Sequence, residues 1–145
     1  MDQSRVNDAS AFFAEGFNCS QSVFAAYCEE FGLEKETAFL LASGFGGGMG
    51  RLQETCGAVT GAFMVLGLKY GYFLAEDKAG KEKVYALVQK FAELFEERNE
   101  SIKCIDLVGI DMRHGDLMQA MARTKEVCPK FVKDAAEILE EIMEE

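Results

Sequence analysis

Residues 43–70 read SGFGGGMGRLQETCGAVTGAFMVLGLKY and join the most glycine-rich part of the chain to its most apolar part. Residues 43–50 contain five glycines in eight positions. Neither a helix nor a strand interior tolerates that density, because each glycine forfeits backbone entropy. The stretch therefore predicts a loop with positive φ or a close neighbour. After Thr55, a helix-capping residue type, residues 56–70 are apolar nearly all round, which predicts a buried central helix.

Helical periodicity continues on both sides of this segment. Apolar spacing and capping residues predict further helices at about 3–15, 18–31 (capped by Asn18), 34–43, 76–98, 101–107 (capped by Ser101), 115–126 and 129–144. Pro129 suits the first position of the last of them. No alternating strand pattern, repeat or linker is visible. The sequence therefore predicts an all-α fold: one domain over residues 1–145, a compact bundle of about six to eight helices.

Composition argues against several classes of partner. The chain has 25 acidic and 15 basic residues, a net charge of -10, whereas binding to a polyanion requires clustered lysine and arginine. The N-terminus has no signal-peptide pattern, and the longest uncharged apolar run, residues 56–68, is too short to span a bilayer. We therefore expect a soluble, cytoplasmic protein that binds neither nucleic acid nor membrane.

The five cysteines are the candidates for chemistry. In a reducing cytoplasm they indicate metal ligands, redox thiols or packing groups rather than a disulfide framework. Four of them fall at predicted helix starts: Cys19, Cys56, Cys104 and Cys128, the last at the N-cap before Pro129. Helix starts favour the thiolate, the form that binds metals and attacks disulfides. Cys28 lies on an aromatic stripe and is predicted to fill the core.

The spacing of these four cysteines excludes several common sites. They are 37, 48 and 24 residues apart, without any C-x-x-C pair. This argues against a zinc finger, against a thioredoxin-type dithiol that is adjacent in sequence, and against covalent haem. His114, the one histidine, lies in a polar stretch and is predicted to be solvated.

Two groups of glycines have both a structural and a functional interpretation. Gly57 and Gly61 lie four residues apart, so they either allow tight helix packing or leave room for a cofactor beside Cys56. The run Gly46-Gly47-Gly48 lacks the residues of a phosphate-binding loop, so nucleotide binding is not expected.

Several segments together resemble one known family. They are Gly16-Phe17-Asn18-Cys19-Ser20-Gln21, residues 44–50, Cys56-Gly57-Ala58-Val59-Thr60-Gly61-Ala62, single Cys104, and Cys128-Pro129. In this order they resemble the prokaryotic C_GCAxxG_C_C family, over about residues 11–139. The family label has glycine before its second cysteine and alanine after it, whereas here Thr55 and Gly57 flank Cys56.

The resemblance implies redox activity at these four cysteines without naming a substrate. The split-Soret cytochromes have a similar cysteine arrangement, for which an iron–sulfur centre has been suggested. This chain lacks their haem-attachment motif, so only the non-haem part of that likeness can apply.

Three hypotheses follow, and whether the protein is an enzyme stays open. In the favoured one, Cys19, Cys56, Cys104 and Cys128 bind a metal centre, best a [2Fe–2S] cluster for one-electron transfer with an unidentified redox partner. Its cofactor-binding residues are Gly46, Gly47, Gly48 and Gly57. The second is a metal-free thiol–disulfide protein with Cys56 and Cys128 as catalytic residues, or Cys56 with Cys19. The third is a structural or oligomeric module with zinc or packed thiols, in which an apolar helix face forms a homodimer.

Overall fold

Seven α-helices organise residues 3–144, the part of the chain that the structure, a computed structural model, describes. They are α1 (Val6–Glu15), α2 (Cys19–Tyr27), α3 (Lys35–Ala42), α4 (Gly57–Tyr70), α5 (Lys78–Asn99), α6 (Cys104–Val108) and α7 (Leu117–Met143). Short 3-10 helices follow α2 at Cys28–Phe31 and α3 at Ser43–Phe45. The described chain has no β-strand, so the all-α prediction is confirmed. Within these residues, no helix is both long and apolar enough to cross a membrane.

Helices α2 and α4 form the centre of the bundle. A capping box begins α2, because the Asn18 side chain accepts from the Gln21 amide and the Gln21 side chain accepts from the Asn18 amide. Every residue of α4 from Gly57 to Ala62 is buried, as the apolar run predicted. A Cβ on Gly61 would lie 2.7 Å from the Ser20 carbonyl oxygen. The glycine spacing therefore does allow tight packing between α4 and α2.

Helix α7 corrects the sequence prediction. Two helices were predicted, at 115–126 and from Pro129 onward, but Leu117–Met143 is one continuous helix of 27 residues with Pro129 inside it. Proline there leaves the Lys125 carbonyl without its helical donor, at a cost of about 3 kcal/mol. The apolar stripe continues through the proline and buries Phe131, Val132 and Ala135 against the core. This burial outweighs the local cost and keeps the helix intact.

Two extended segments place the starts of α4 and α6 side by side. The Cys56 amide donates to the Ile102 carbonyl at 2.7 Å, and the Cys104 amide donates to the Glu54 carbonyl at 2.6 Å. Residues 54–56 and 102–104 are thereby held in an extended pair, and the Ser101 hydroxyl accepts from the Lys103 amide just before α6 begins. The N-caps are consequently Cys56 for α4 and Lys103 for α6, which corrects both predicted caps.

The glycine-rich segment is a turn of the left-handed kind. Five consecutive residues have positive φ: Gly47 (66°), Gly48 (65°), Met49 (70°), Gly50 (59°) and Arg51 (66°). We call residues 47–51 the left-handed turn. L-residues pay roughly 1–2 kcal/mol each for this conformation, which explains the glycines. The amides of Gln53 and Glu54 close the turn by donating to the carbonyls of Gly47 and Gly48 at 3.1 and 3.0 Å.

A group of charged and polar side chains joins α5 to α7. Asp134 of α7 accepts hydrogen bonds from Arg98 at 3.2 Å, from Asn99 at 3.1 Å and from Lys130 at 2.7 Å. Asp134 is nearly buried, whereas Arg98 and Lys130 reach it from partly exposed positions at the edge of the helix pair. Its burial raises the pKa of the carboxyl, but the hydrogen bonds from Lys130, Asn99 and Arg98 outweigh burial and the pKa is lowered.

Candidate functional site

One cavity of about 360 Å³ brings the four selected cysteines together. Its lining includes all the site residues that the sequence predicted, namely Cys19, Cys56, Cys104, Cys128, Gly46, Gly47, Gly48 and Gly57. Cys28 is fully buried and does not border this space, which agrees with its predicted role as core filler. The structure therefore brings these eight residues together, and their roles as ligands, catalytic groups or cofactor contacts stay predictions.

Each cysteine reaches the cavity from a different element. Cys19 and Cys104 are the first residues of α2 and α6, and Cys56 is the N-cap of α4. The prediction of a helix start is wrong for Cys128, because α7 continues through Pro129 and places this cysteine in the helix interior. Three helix starts and one helix side thus surround the site.

The glycines around the cavity permit close backbone approach. A Cβ on Gly48 would lie 2.6 Å from the Cys104 Cβ, a distance that real structures essentially never show. A Cβ on Gly57 would lie 3.1 Å from the Cys19 Cβ. Two of the four cysteines could therefore not keep their positions if these glycines carried side chains.

Cys19 and Cys128 are in direct contact through their sulfurs. The hydrogen bond with Cys128, followed by burial, raises the pKa of the Cys19 thiol well above its ordinary value. The same hydrogen bond lowers the pKa of Cys128. Of the two thiols, Cys128 is the one whose pKa is lowered, so it is the better candidate for the thiolate.

The other two cysteines of the cavity behave differently. Burial raises the pKa of Cys56 to about 12, although the amides of Ala58 and Val59 lower it in part. Burial likewise raises the pKa of Cys104 to about 11. Helix starts alone would have lowered both pKa values, as the sequence led us to expect. Burial outweighs the helix dipole here, and the one lowered pKa belongs to the cysteine that is not at a helix start.

Gln53 is a site residue that the sequence analysis did not identify. Its side chain is buried, hydrogen-bonds to Cys104 and lowers the pKa of that thiol against the effect of burial. Its Nε2 also donates to the Ile110 carbonyl at 2.8 Å, and its Oε1 accepts from the Met112 amide at 2.9 Å. It lies in the polar run Arg51–Thr55, where no motif or periodicity distinguishes it from a solvated glutamine.

The arrangement of the cysteines bears on which metal centres they could hold. All five are free thiols, and within residues 3–144 no three histidine, cysteine or acidic side chains are close enough to hold one metal ion. A tetrahedral zinc site with Zn–S bonds near 2.3 Å requires sulfurs roughly 3.8 Å apart. In a cluster, different metal atoms take different thiolates, so the sulfurs stand farther apart. The four thiols share one cavity, in which Cys19 and Cys128 are neighbours.

His114 lies outside this cavity. Its side chain is 71% exposed, and its Nδ1 is 3.2 Å from the Asp111 carboxylate. The prediction of a solvated histidine is confirmed.

Comparison with known proteins identifies one family. The family model C_GCAxxG_C_C, described as "Putative redox-active protein", matches residues 17–142, which include all four cavity cysteines. No curated protein and no solved structure shows significant similarity to the chain.

Proposed function

The chain belongs to the C_GCAxxG_C_C family of redox-active proteins, and from that premise we propose that it carries electrons on an iron–sulfur cluster. Cys19, Cys56, Cys104 and Cys128 would hold the cluster. The observation that supports the proposal best is the convergence of these four thiols, from four elements, on one cavity. A cavity lined by four cysteine thiols offers the number and type of ligands that a Cys₄ cluster requires.

The surroundings of the thiols suit such a centre. When bound, the cluster supplies one-electron transfer at a potential set by hydrogen bonds, charge and solvent exposure. The chain supplies four thiols that are each less than 9% exposed, so bulk water is kept from them. At the start of α4, the amides of Ala58 and Val59 donate to the Cys56 sulfur and would offset negative charge on its thiolate. Gln53 fixes Cys104 by donating a hydrogen bond to its sulfur.

Iron loading tests this proposal directly. We expect protein purified without oxygen, or reconstituted with iron and sulfide, to contain both elements and to absorb visible light. Replacement of any one of the four cavity cysteines by serine is expected to lower bound iron strongly, because each supplies a ligand. Cys28→Ala is the matched control, since Cys28 is buried but away from the cavity. Equal iron in Cys56→Ser and wild-type protein would contradict the proposal.

The contact between Cys19 and Cys128 supports a second candidate, a metal-free thiol–disulfide couple. The sequence analysis paired Cys56 with Cys128 or Cys19, whereas the hydrogen bond favours Cys19 as the partner of Cys128. In this reaction, the Cys128 thiolate attacks a partner disulfide and releases one partner thiolate. The Cys19 sulfur then attacks Cys128, loses its proton and releases the second partner thiol. Two electrons pass from the two cysteines to the partner.

Mass spectrometry of the metal-free protein tests the couple. Mild oxidation with glutathione disulfide is expected to remove two free thiols per chain, and dithiothreitol to restore them. Cys128→Ser should abolish the reversible loss, and Cys19→Ser should lose only one thiol, as a mixed disulfide of Cys128 with glutathione, because no second thiol displaces the glutathione. Cys56→Ser should retain the loss of two. A loss of two thiols that persists in Cys19→Ser would exclude this pairing.

A further inference from the structure

We propose that the cysteine cavity has an entrance, formed by Arg51 and Lys125, that selects small organic anions. The cavity of the proposed redox centre would then admit a small organic anion as well as serve a partner protein. This inference rests on the proposed redox function of the same cavity and names the class of ligand. Its ligand is an anion with an apolar body, such as an aromatic carboxylate.

The charges around the cavity are the first observation. Among the residues that line it, Arg51 and Lys125 are the charged ones, and both are exposed, which places them where the cavity meets solvent. Within residues 3–144, no aspartate or glutamate borders the same space. In a chain with 25 acidic and 15 basic residues, this wholly cationic entrance departs from the average surface. Such an entrance attracts anions and repels cations.

Both cations lack acidic partners in residues 3–144. The Arg51 guanidinium contacts the Met121 sulfur at 3.8 Å, and neither Arg51 nor Lys125 forms an ion pair within the described chain. A thioether is a weak acceptor, and a guanidinium has five N–H donors in a planar fork that fits a carboxylate. Most of the donors of Arg51 are therefore available to a ligand.

The backbone holds Arg51 in place at some cost. Arg51 has φ of 66°, in the left-handed region where glycine would be free of strain. A Cβ on Gly47 would lie 2.9 Å from the Arg51 Cγ, so the arginine side chain lies across the turn in space that glycine leaves. The left-handed turn thus directs Arg51 along the entrance rather than into open solvent.

The other residues that line the cavity indicate that the body of the ligand is apolar. Large apolar side chains form much of the wall: Phe13, Phe17, Leu107, Met112, Met121 and Phe131. The two neutral polar side chains of the lining are already engaged, since Asn18 donates to the Ser43 carbonyl and Thr124 donates to the Met121 carbonyl. A ligand therefore finds apolar contacts inside and spare charged donors at the two cations.

Thiol modification of the reduced, metal-free protein tests whether the entrance favours anions. The probes are dithiobis(nitrobenzoate), a dianionic aromatic disulfide, and dithiodipyridine, a neutral one. Each cysteine that reacts loses its proton, forms a mixed disulfide and displaces one reagent thiolate. We expect Arg51→Gln combined with Lys125→Gln to slow the anionic reagent about tenfold without slowing the neutral one, because electrostatic attraction at the entrance is lost. Added salt should reduce the preference of the wild-type protein in the same way.

Lys133→Gln is the matched control, because Lys133 is also exposed on α7 but does not line the cavity. It should leave both rates unchanged. Nitrobenzoate, an unreactive anion, should slow the neutral reagent in wild-type protein and not in the double variant. An unchanged ratio of the two rates in the double variant overturns the proposal. So does equal slowing of both reagents, or absence of any reaction from the folded state.

Iron loading of the same variants separates the two proposals. If the wild-type protein binds no iron yet reacts faster with the anionic reagent, the cluster proposal is overturned and the entrance proposal is not. If the wild-type protein binds iron but does not prefer the anionic reagent, the proposal of an anion-selecting entrance is overturned and the cluster proposal is not.

Discussion

Gln53 illustrates how single residues hold the cysteine cavity together. Its side chain contacts Cys104 and bonds to the backbone at Ile110 and Met112, and its backbone carbonyl accepts from the Ile105 amide at 3.2 Å. These bonds join the left-handed turn to the start of α6 and to the loop that follows α6. Met112 lines the cavity, so Gln53 acts on two parts of the wall at once.

Removal of this side chain should destabilise the protein. We expect Gln53→Ala to lower the free energy of unfolding by about 2–4 kcal/mol, because the Ile110 carbonyl and Met112 amide lose their buried partner. Urea denaturation measures the change. Glu54→Ala, at the exposed neighbouring position, is the control and should cost about 0.5 kcal/mol or less. Equal losses in the two variants would contradict the role assigned to Gln53.

At the residue scale, sequence reasoning located the cysteines but not their electrostatics. Cys28 could be separated from the other four because its neighbours on the helix are aromatic. The pKa directions of Cys56 and Cys104 could not be foreseen, since they depend on burial by elements distant in sequence. Gln53 was invisible for the same reason: its partners lie more than 50 residues away.

The left-handed turn is the element that most distinguishes this fold. Its glycines serve two separate purposes, because some supply positive φ alone and others also leave space. Gly48 does both, with Cys104 and the Gln53 backbone against it. Gly50 has a similar φ of 59°, but a Cβ there would meet nothing nearer than the Gly44 carbonyl oxygen at 3.8 Å.

This difference gives a matched pair of substitutions. Gly50→Ala should cost about 1 kcal/mol of unfolding free energy, from the left-handed backbone alone. Gly48→Ala should cost roughly 2–4 kcal/mol, since overpacking adds to that strain, and it should reduce iron loading by displacing Cys104. Thermal or urea unfolding and iron analysis measure both effects. Similar losses in the two variants would show that the contact with Cys104 is unimportant.

Element boundaries were predicted well where local signals decide them and poorly where packing does. The Asn18 cap and the glycine after α1 are local, and the structure agrees with both. Pro129 is also a local signal, but the apolar stripe of α7 overrode it. The paired segments at Cys56 and Cys104 shifted two caps through contacts that no local pattern specifies.

Across the whole molecule, the group around Asp134 couples stability to pH. Its carboxyl has a lowered pKa in the folded protein, so it stabilises the fold above the ordinary carboxyl value of 3.8. This contribution is lost as pH falls through the still lower folded pKa. The stability of the fold therefore decreases as pH falls, because the unfolded chain binds the proton more readily than the folded one.

Asp134→Asn should therefore be less stable than wild type at neutral pH, by about 1–2 kcal/mol from the loss of charge-assisted hydrogen bonds. The difference should shrink below pH ~4, where protonation removes the same charge from wild-type protein. Urea denaturation across pH measures it. Glu141→Gln, at an exposed position of α7, is the control and should follow wild type at every pH. A difference that does not change with pH would exclude titration of Asp134 as its cause.

The fold class followed from periodicity because every long helix has an apolar face that must be buried. Convergence of the four cysteines was predicted from helix starts, which the structure shows for Cys19, Cys56 and Cys104 but not for Cys128, and from the family resemblance. The cationic entrance could not be predicted, since Arg51 and Lys125 are distant in sequence and only the left-handed turn and α7 bring them to the same cavity.

The contact between Cys19 and Cys128 has a consequence for the unfolded chain. The two residues enclose about 110 positions, most of the chain. A covalent link at this contact would close one very long loop and restrict the unfolded chain. In the chain-entropy model, this restriction raises the free energy of unfolding by about 5 kcal/mol. A cluster that binds both thiolates would impose the same closure. The chemical state of one small cavity should therefore be measurable as a change in the melting temperature of the entire molecule.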